Sequence, residues 1–260
     1  MDLNHNPTVL KSGTTGFASE QGSVVKNDML TGLIRLTIFI SFIFLIFPVA
    51  DIIVSGWFAD AAGKFQLHEN SYLLALRDLH RLLPAVIVPV LLLGVVVQAV
   101  SYRNWLPAPH KLLYILSVYA IGAAAVVHSL KYLVGRARPN EIMEYGGTML
   151  FSPAWQIAQS CQNSCSFPSG EGASSMAMLA IPLILGGVYR LPLLIVTTIA
   201  ALVFSLNRII MGAHFLSDVM LSWLFVAIVM AWLWPVFKRN GARIDDAVAK
   251  AGRRICAIRF

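Results

Sequence analysis

Three short segments carry the residue types that could do chemistry: Lys131-Tyr-Leu-Val-Gly-Arg136-Ala-Arg138-Pro139, Ser166-Phe-Pro-Ser169-Gly170-Glu171 and Arg208-Ile-Ile-Met-Gly-Ala-His214-Phe-Leu-Ser-Asp218. Lys131 and Arg138 are seven residues apart, two helical turns, so they can share one face before Pro139 ends the helix. Arg offers a planar fork of donors that matches phosphate oxygens, and Lys offers a point charge. Ser169-Gly170 has the form of a helix start, where free N–H groups and the positive end of the dipole attract an anion. The Ser169 hydroxyl can cap that helix and donate to a phosphate oxygen as well. His214 and Asp218 are four residues apart and lie on one face if a helix begins there. A carboxylate accepting the Nδ1 proton would leave Nε2 free to attack phosphorus, and water would then hydrolyse the phosphohistidine. Arg208, six residues before His214, can neutralise charge on the oxygens of the transition state.

Each segment also has an ordinary reading. A single Arg at a membrane boundary is commonly an interface anchor, and His-x3-Asp is commonly a helix-surface pair. Ser-Gly before an apolar run is commonly only a cap. It is the three together, each at the end of an apolar run, that point to a phosphate reaching the site from a membrane surface, and so to a lipid substrate.

The elements that must position these residues are apolar. The 260 residues are 57% apolar and only 13% charged, against about a quarter charged in soluble domains. Six apolar segments stand out, near 33–54, 82–100, 112–130, 173–189, 191–206 and 216–237, and a spanning helix needs about 20 such residues. The expected fold is therefore an all-α integral membrane protein with six transmembrane helices. It divides into a flexible N-terminal tail (1–30), one membrane domain (31–237) and a basic tail (238–260). The net charge of +7 sits largely in that last tail, which suits orientation and anionic headgroups better than nucleic acid. Lys11, Lys26, Arg103, His110, Lys111, Arg190 and the tail fall on one side of six spans. That side reads as cytoplasmic, with both termini there. The three segments fall on the other side. No cleaved signal peptide is evident, and His80 and His128, near span ends, read as structural.

The segments resemble the type 2 phosphatidic acid phosphatase superfamily of membrane lipid phosphatases, marked by Lys-x6-Arg-Pro, Pro-Ser-Gly-His and Ser-Arg-x5-His-x3-Asp. The first motif is complete at Lys131, Arg138 and Pro139; the third has Asn207 for Ser but keeps Arg208, His214 and Asp218. The resemblance implies a six-helix fold, no metal or other cofactor, His214 as nucleophile, and Lys131, Arg138, Ser169, Gly170 and Arg208 as phosphate ligands. The departure is Glu171, where the family has the histidine that protonates the leaving group. Glu171 reads either as that acid or as a cap or cation partner, because burial and an anion favour its neutral form while cations and a helix start favour the ionised one.

The run from Arg136 to Tyr145-Gly-Gly, with Asn163-Ser-Cys-Ser-Phe-Pro-Ser-Gly-Glu, looks like the branch that dephosphorylates lipid A at its 4′ position. That implies a Gram-negative inner membrane with a periplasmic site, where Cys161 and Cys165 either form a disulfide or remain free thiols. The alternatives are a phosphatase for phosphatidate, phosphatidylglycerol phosphate or undecaprenyl pyrophosphate, a non-catalytic lipid-phosphate-binding protein, and a transporter. Mid-span ionisable groups are too few to favour the last.

Overall fold

The computed structural model describes residues 15–101, 103, 105–158, 160–161, 164–184 and 187–257. Among them every regular element is helical, and one isolated bridge pairs Ile142 with Met149. The helices are α1 (Thr15–Ile46), α2 (Val49–Gly56), α3 (Ser71–Val100), α4 (Pro109–Ser117), a π-helical segment (Val118–Val126), α5 (Val127–Val134), α6 (Gly170–Met178), α7 (Ala180–Ile184), α8 (Arg190–Ile210), α9 (Leu216–Arg239) and α10 (Gly241–Ala257).

Local chemistry sets the boundaries that matter. Pro48 has no N–H to continue α1, so the stretch read as one span over 33–54 breaks after Ile46 and restarts as α2. The Asn70 side chain accepts from the N–H groups of Tyr72 and Leu73, starting α3 eleven residues before the apolar run at 82. Its 30 residues make a rod about 45 Å long at ~1.5 Å per residue, so its polar first turns extend past a ~30 Å hydrocarbon layer. Pro109 opens α4, and Gly135, at φ 59°, closes α5 in the left-handed conformation common at helix C-termini.

Among the described residues five helices are long and apolar enough to cross a membrane. The fourth expected segment is the short pair α6 and α7, ending at Ile184, with residues 185 and 186 outside the described set. Pro182, inside α7, cannot donate to the carbonyl one turn earlier. The expected N-terminal tail is helical from Thr15, and residues 1–14 lie outside the described set. The basic tail folds as α10 against α3 and α4, where Asp245 accepts from the His110 N–H and pairs with its ring at 2.8 Å.

Short α6 is the centre of the bundle. Its small residues Ala173 and Ala177, followed by Ala180 in α7, are fully buried and let α8, α9 and the π-helical segment approach closely. Tyr114, Val118, Phe204, Val226 and Met230 fill the space around them. The outer faces of α1, α3 and α8 are apolar and exposed, with Phe39, Phe42, Leu93 and Val196 more than half open, as lipid-facing side chains are. At one end of the bundle α2, the end of α5, the start of α6, the end of α8 and the start of α9 bring polar groups together. Phe65, Ile142, Tyr145 and Phe215 pack over that end as a separate cluster.

Gly212, between Arg208 and His214, has φ +64°, and a Cβ there would lie 2.5 Å from the Phe65 ring. Gly212→Ala is expected to cost about 1–3 kcal/mol from backbone strain and overpacking, measured as a lower thermal midpoint in detergent. An unchanged midpoint would contradict this packing.

Candidate active site

His214 is buried at the turn into α9. Its Nδ1 lies 2.7 Å from the Ser166 carbonyl oxygen and 3.8 Å from Asp218 Oδ2. A carbonyl oxygen can only accept, so Nδ1 carries a proton and donates it to Ser166. The expected direct bond from Nδ1 to Asp218 is not made. Asp218 acts one step back, accepting from the Ser166 hydroxyl at 2.5 Å and the Phe215 N–H at 2.8 Å, and so fixes the segment whose carbonyl orients the ring.

Behind Asp218 is a buried ion cluster. Arg136, fully buried, donates to Asp218 Oδ1 at 2.6 Å, Asp51 Oδ2 at 2.9 Å, Ser217 Oγ at 2.8 Å and the Ser152 carbonyl at 2.7 Å. Its guanidinium lies 4.1 Å from the Phe215 ring centroid. Asp51 also accepts from the Ser217 N–H at 2.9 Å. Two carboxylates share one cation. Burial pushes the Asp51 carboxyl above its ordinary pKa, Arg136 pulls it down and Asp218 pushes it up again.

The other side of His214 faces Glu171. Nε2 is 3.2 Å from Glu171 Oε2. Oε1 of the same carboxylate accepts from Arg81 at 3.0 Å and lies 3.5 Å from Arg208 Nε. Arg208 is buried, and its Nε makes no hydrogen bond. A donor left so is costly unless an anion comes to meet it. Nε2 and a carboxylate oxygen cannot both be bare acceptors, so one proton lies between them, on the imidazole or on the carboxyl.

Ser169 caps α6, accepting from the Gly172 N–H at 3.0 Å, and its own N–H donates to the Asp218 carbonyl. The start of α6 is thereby tied to the start of α9. Lys131 donates to the Cys165 carbonyl at 2.6 Å and Arg138 to the Ser164 carbonyl at 3.0 Å. Cys161 and Cys165 are joined by a disulfide, the first of the two alternatives above. The loop therefore holds both cations of the first motif. A cavity of about 700 Å³ takes in Lys131, Gly170, Glu171 and Arg81, with Pro84 and Val127 among its apolar walls. His214 and Arg208 do not line it, because Glu171 stands in front of them. His128 lines this cavity too. His80 also reaches it but is held by Ser174 and Ser175 at 3.1 Å and stacked on Phe204, as a structural side chain would be. Among the described residues no group of three or more His, Cys, Asp and Glu side chains is placed to hold a metal ion.

The sequence reading missed Arg81, Asp51 and Ser166. Asp51 gave the available signal, an ionisable residue inside an apolar run. Arg81 and Ser166 gave none, since their roles come from partners 90 and 48 or more positions away.

Residues 111–242 match the family model described as the PAP2 superfamily. A lipid A 4'-phosphatase of Rhizobium leguminosarum is 34% identical over 47% of this chain and 53% of its own length. One of Rhizobium etli is 34% identical over 45% and 46%, so the chain spans about half the length of these two relatives. One of Francisella tularensis subsp. novicida is 30% identical over 71% of this chain and 85% of its own length. No solved structure matches the chain.

Arg136→Met would leave Asp51 and Asp218 buried without a cation and is expected to cost about 3–5 kcal/mol. Adding Asp51→Asn should recover part of the loss. Thermal midpoints of the two single variants and the double variant in detergent measure the coupling, and additive losses would contradict it.

Proposed function

The chain belongs to the PAP2 superfamily, and on that premise we propose that it is a metal-independent membrane lipid phosphatase that works through a phosphohistidine on His214. The observation that carries this reading is the orientation of His214, whose Nδ1 proton is tied to the Ser166 carbonyl so that Nε2 is the atom offered to a phosphate. In the reaction, Nε2 bonds to phosphorus as the phosphorus–oxygen ester bond breaks. The proton shared by Nε2 and Glu171 passes with Glu171 to the leaving oxygen. Water then attacks phosphorus, Glu171 takes its proton, and the nitrogen–phosphorus bond breaks. Arg208, with its unpaired Nε, stabilises the charge on the phosphoryl oxygens. Lys131, Arg138 and the Ser169-Gly170 helix start complete the anion site. Asp218 positions the nucleophile through Ser166.

A dianion bound here repels the Glu171 carboxylate and draws Arg208 away from it, and both effects favour the protonated acid that the leaving group needs. The proposed substrate is lipid A, with loss of its 4′ phosphate, a reading supported by the similarity to three lipid A 4'-phosphatases. Phosphatidate, phosphatidylglycerol phosphate and undecaprenyl pyrophosphate would use the same residues. The proposed setting is the inner membrane of a Gram-negative cell. Six spans are reached by counting the α6–α7 pair with the five long helices. The site then faces the periplasm and both termini face the cytoplasm. The disulfide in the loop suits that compartment.

Phosphate release from lipid A and phosphatidate, compared side by side, tests substrate class. His214→Ala should abolish release while leaving the fold intact, and label from a radioactively phosphorylated lipid should stay on the alkali-quenched wild-type protein only, because a nitrogen–phosphorus bond survives alkali and not acid. Retained turnover in the variant would remove His214 as nucleophile. Glu171→Gln should slow lipid hydrolysis far more than hydrolysis of an activated aryl phosphate, whose leaving group needs no proton. Equal losses would argue against the acid role. Reporters placed beside Glu144 and at the C-terminus should lie on opposite sides of the membrane.

A further inference from the structure

The Glu171 carboxylate occupies the place that a substrate phosphate has to take. A phosphorus in position for attack must come within about 3–3.5 Å of the nucleophile, and Oε2 already stands 3.2 Å from Nε2. The same carboxylate is the group opposite Arg208 Nε, at 3.5 Å, too far to satisfy that donor. It also separates both residues from the cavity. Its third partner is different in kind. Arg81 is half exposed, lines the cavity, and comes from α3, outside the 111–242 family match.

We propose that Glu171 is an internal anion that fills the phosphate site of the free protein, and that Arg81 is the positioning residue onto which it moves when phosphate enters. This rests on the reading of the site given above. Phosphate takes over His214 and Arg208, the carboxyl group swings outward, and Arg81 keeps it at the cavity side, where a leaving group departs. One carboxyl oxygen accepts from Arg81, which turns the other, protonated oxygen toward the leaving group. Arg81 thus acts through Glu171 and makes no bond to phosphate. The site is closed to anions by its own acid and opened by the substrate.

Binding of inorganic phosphate to the detergent-purified full chain, followed by calorimetry, reads this without turnover. Glu171→Gln removes the competing charge, so phosphate should bind about tenfold more tightly, as expected if roughly a tenth of the free protein is open. Arg81→Gln removes the arm and leaves the carboxylate on His214 and Arg208, so phosphate should bind several-fold more weakly. In the double variant Arg81→Gln should have no further effect, and phosphate should bind as it does to Glu171→Gln alone. Equal weakening by Arg81→Gln in both backgrounds would make Arg81 a direct phosphate ligand and overturn the proposal. Unchanged or weaker binding by Glu171→Gln with a normal thermal midpoint would overturn it as well. If Glu171→Gln binds phosphate more tightly while the wild type hydrolyses no lipid phosphate, the phosphatase reading fails and the internal anion stands. Hydrolysis by the wild type without tighter binding in the variant gives the reverse.

Discussion

The site depends on one buried cation. Removing a guanidinium and two carboxylates from water costs several kcal/mol per ion, and such a cluster persists only when its donors and acceptors are met. Asp51, Ser152, Ser217 and Asp218 all accept from Arg136, and the Phe215 ring lies over its face. These partners come from α2, the loop before α6 and the start of α9. The cluster therefore fixes three distant parts of the chain relative to one another. Asp218, so held, fixes Ser166, and Ser166 fixes the His214 ring. The orientation of the His214 ring is thus tied, through Ser166 and Asp218, to the charges behind it.

The remaining polar groups of the candidate site lie at or near helix ends, which is where a bundle of apolar helices can present polar groups without burying them at mid-depth. Arg208 ends α8, Ser169 caps α6, and Lys131 lies in the last turn of α5. Each has a local anchor. The Ser169 N–H to the Asp218 carbonyl joins two helix starts directly, and the carbonyls of Ser164 and Cys165 hold Arg138 and Lys131 in the disulfide loop. The small residues of α6 allow this convergence, since larger ones would separate it from α8 and α9. Short α6 and α7 keep that end of the bundle compact, while long α3 carries Arg81 up beside it.

The match to the PAP2 superfamily spans 111–242, yet the site is not finished within it. Asp51 of α2 closes the ion cluster and Arg81 of α3 holds Glu171. At Glu171 the chain holds a carboxyl where the motif it resembles has an imidazole. Two guanidinium groups and the His214 imidazole face that carboxyl. A free imidazole and a free carboxyl differ by about two pKa units, so the same proton transfer needs a different set of neighbours.

The sequence by itself determined the helical class, the apolar spans and the three polar segments at their ends. Those are local properties: apolar period, proline position and the four-residue spacing of His214 and Asp218 follow from the helix repeat alone. It also placed Lys131, Arg138, Ser169, Gly170, Glu171 and Arg208 as candidates, and the structure gathers them at one end of the bundle. It ran the first helix on past Ile46, because the apolar run continues through the break at Pro48, and it gave no sign that the fourth segment is divided into α6 and α7. Only the tertiary structure decided which acceptor takes the His214 proton, that Glu171 covers His214, and that Asp51 and Arg81 adjoin the candidate site. The partner of a buried charge is set by which segments meet when the chain closes, and residues 85 positions apart, as Asp51 and Arg136 are, carry no mark of that meeting in their spacing.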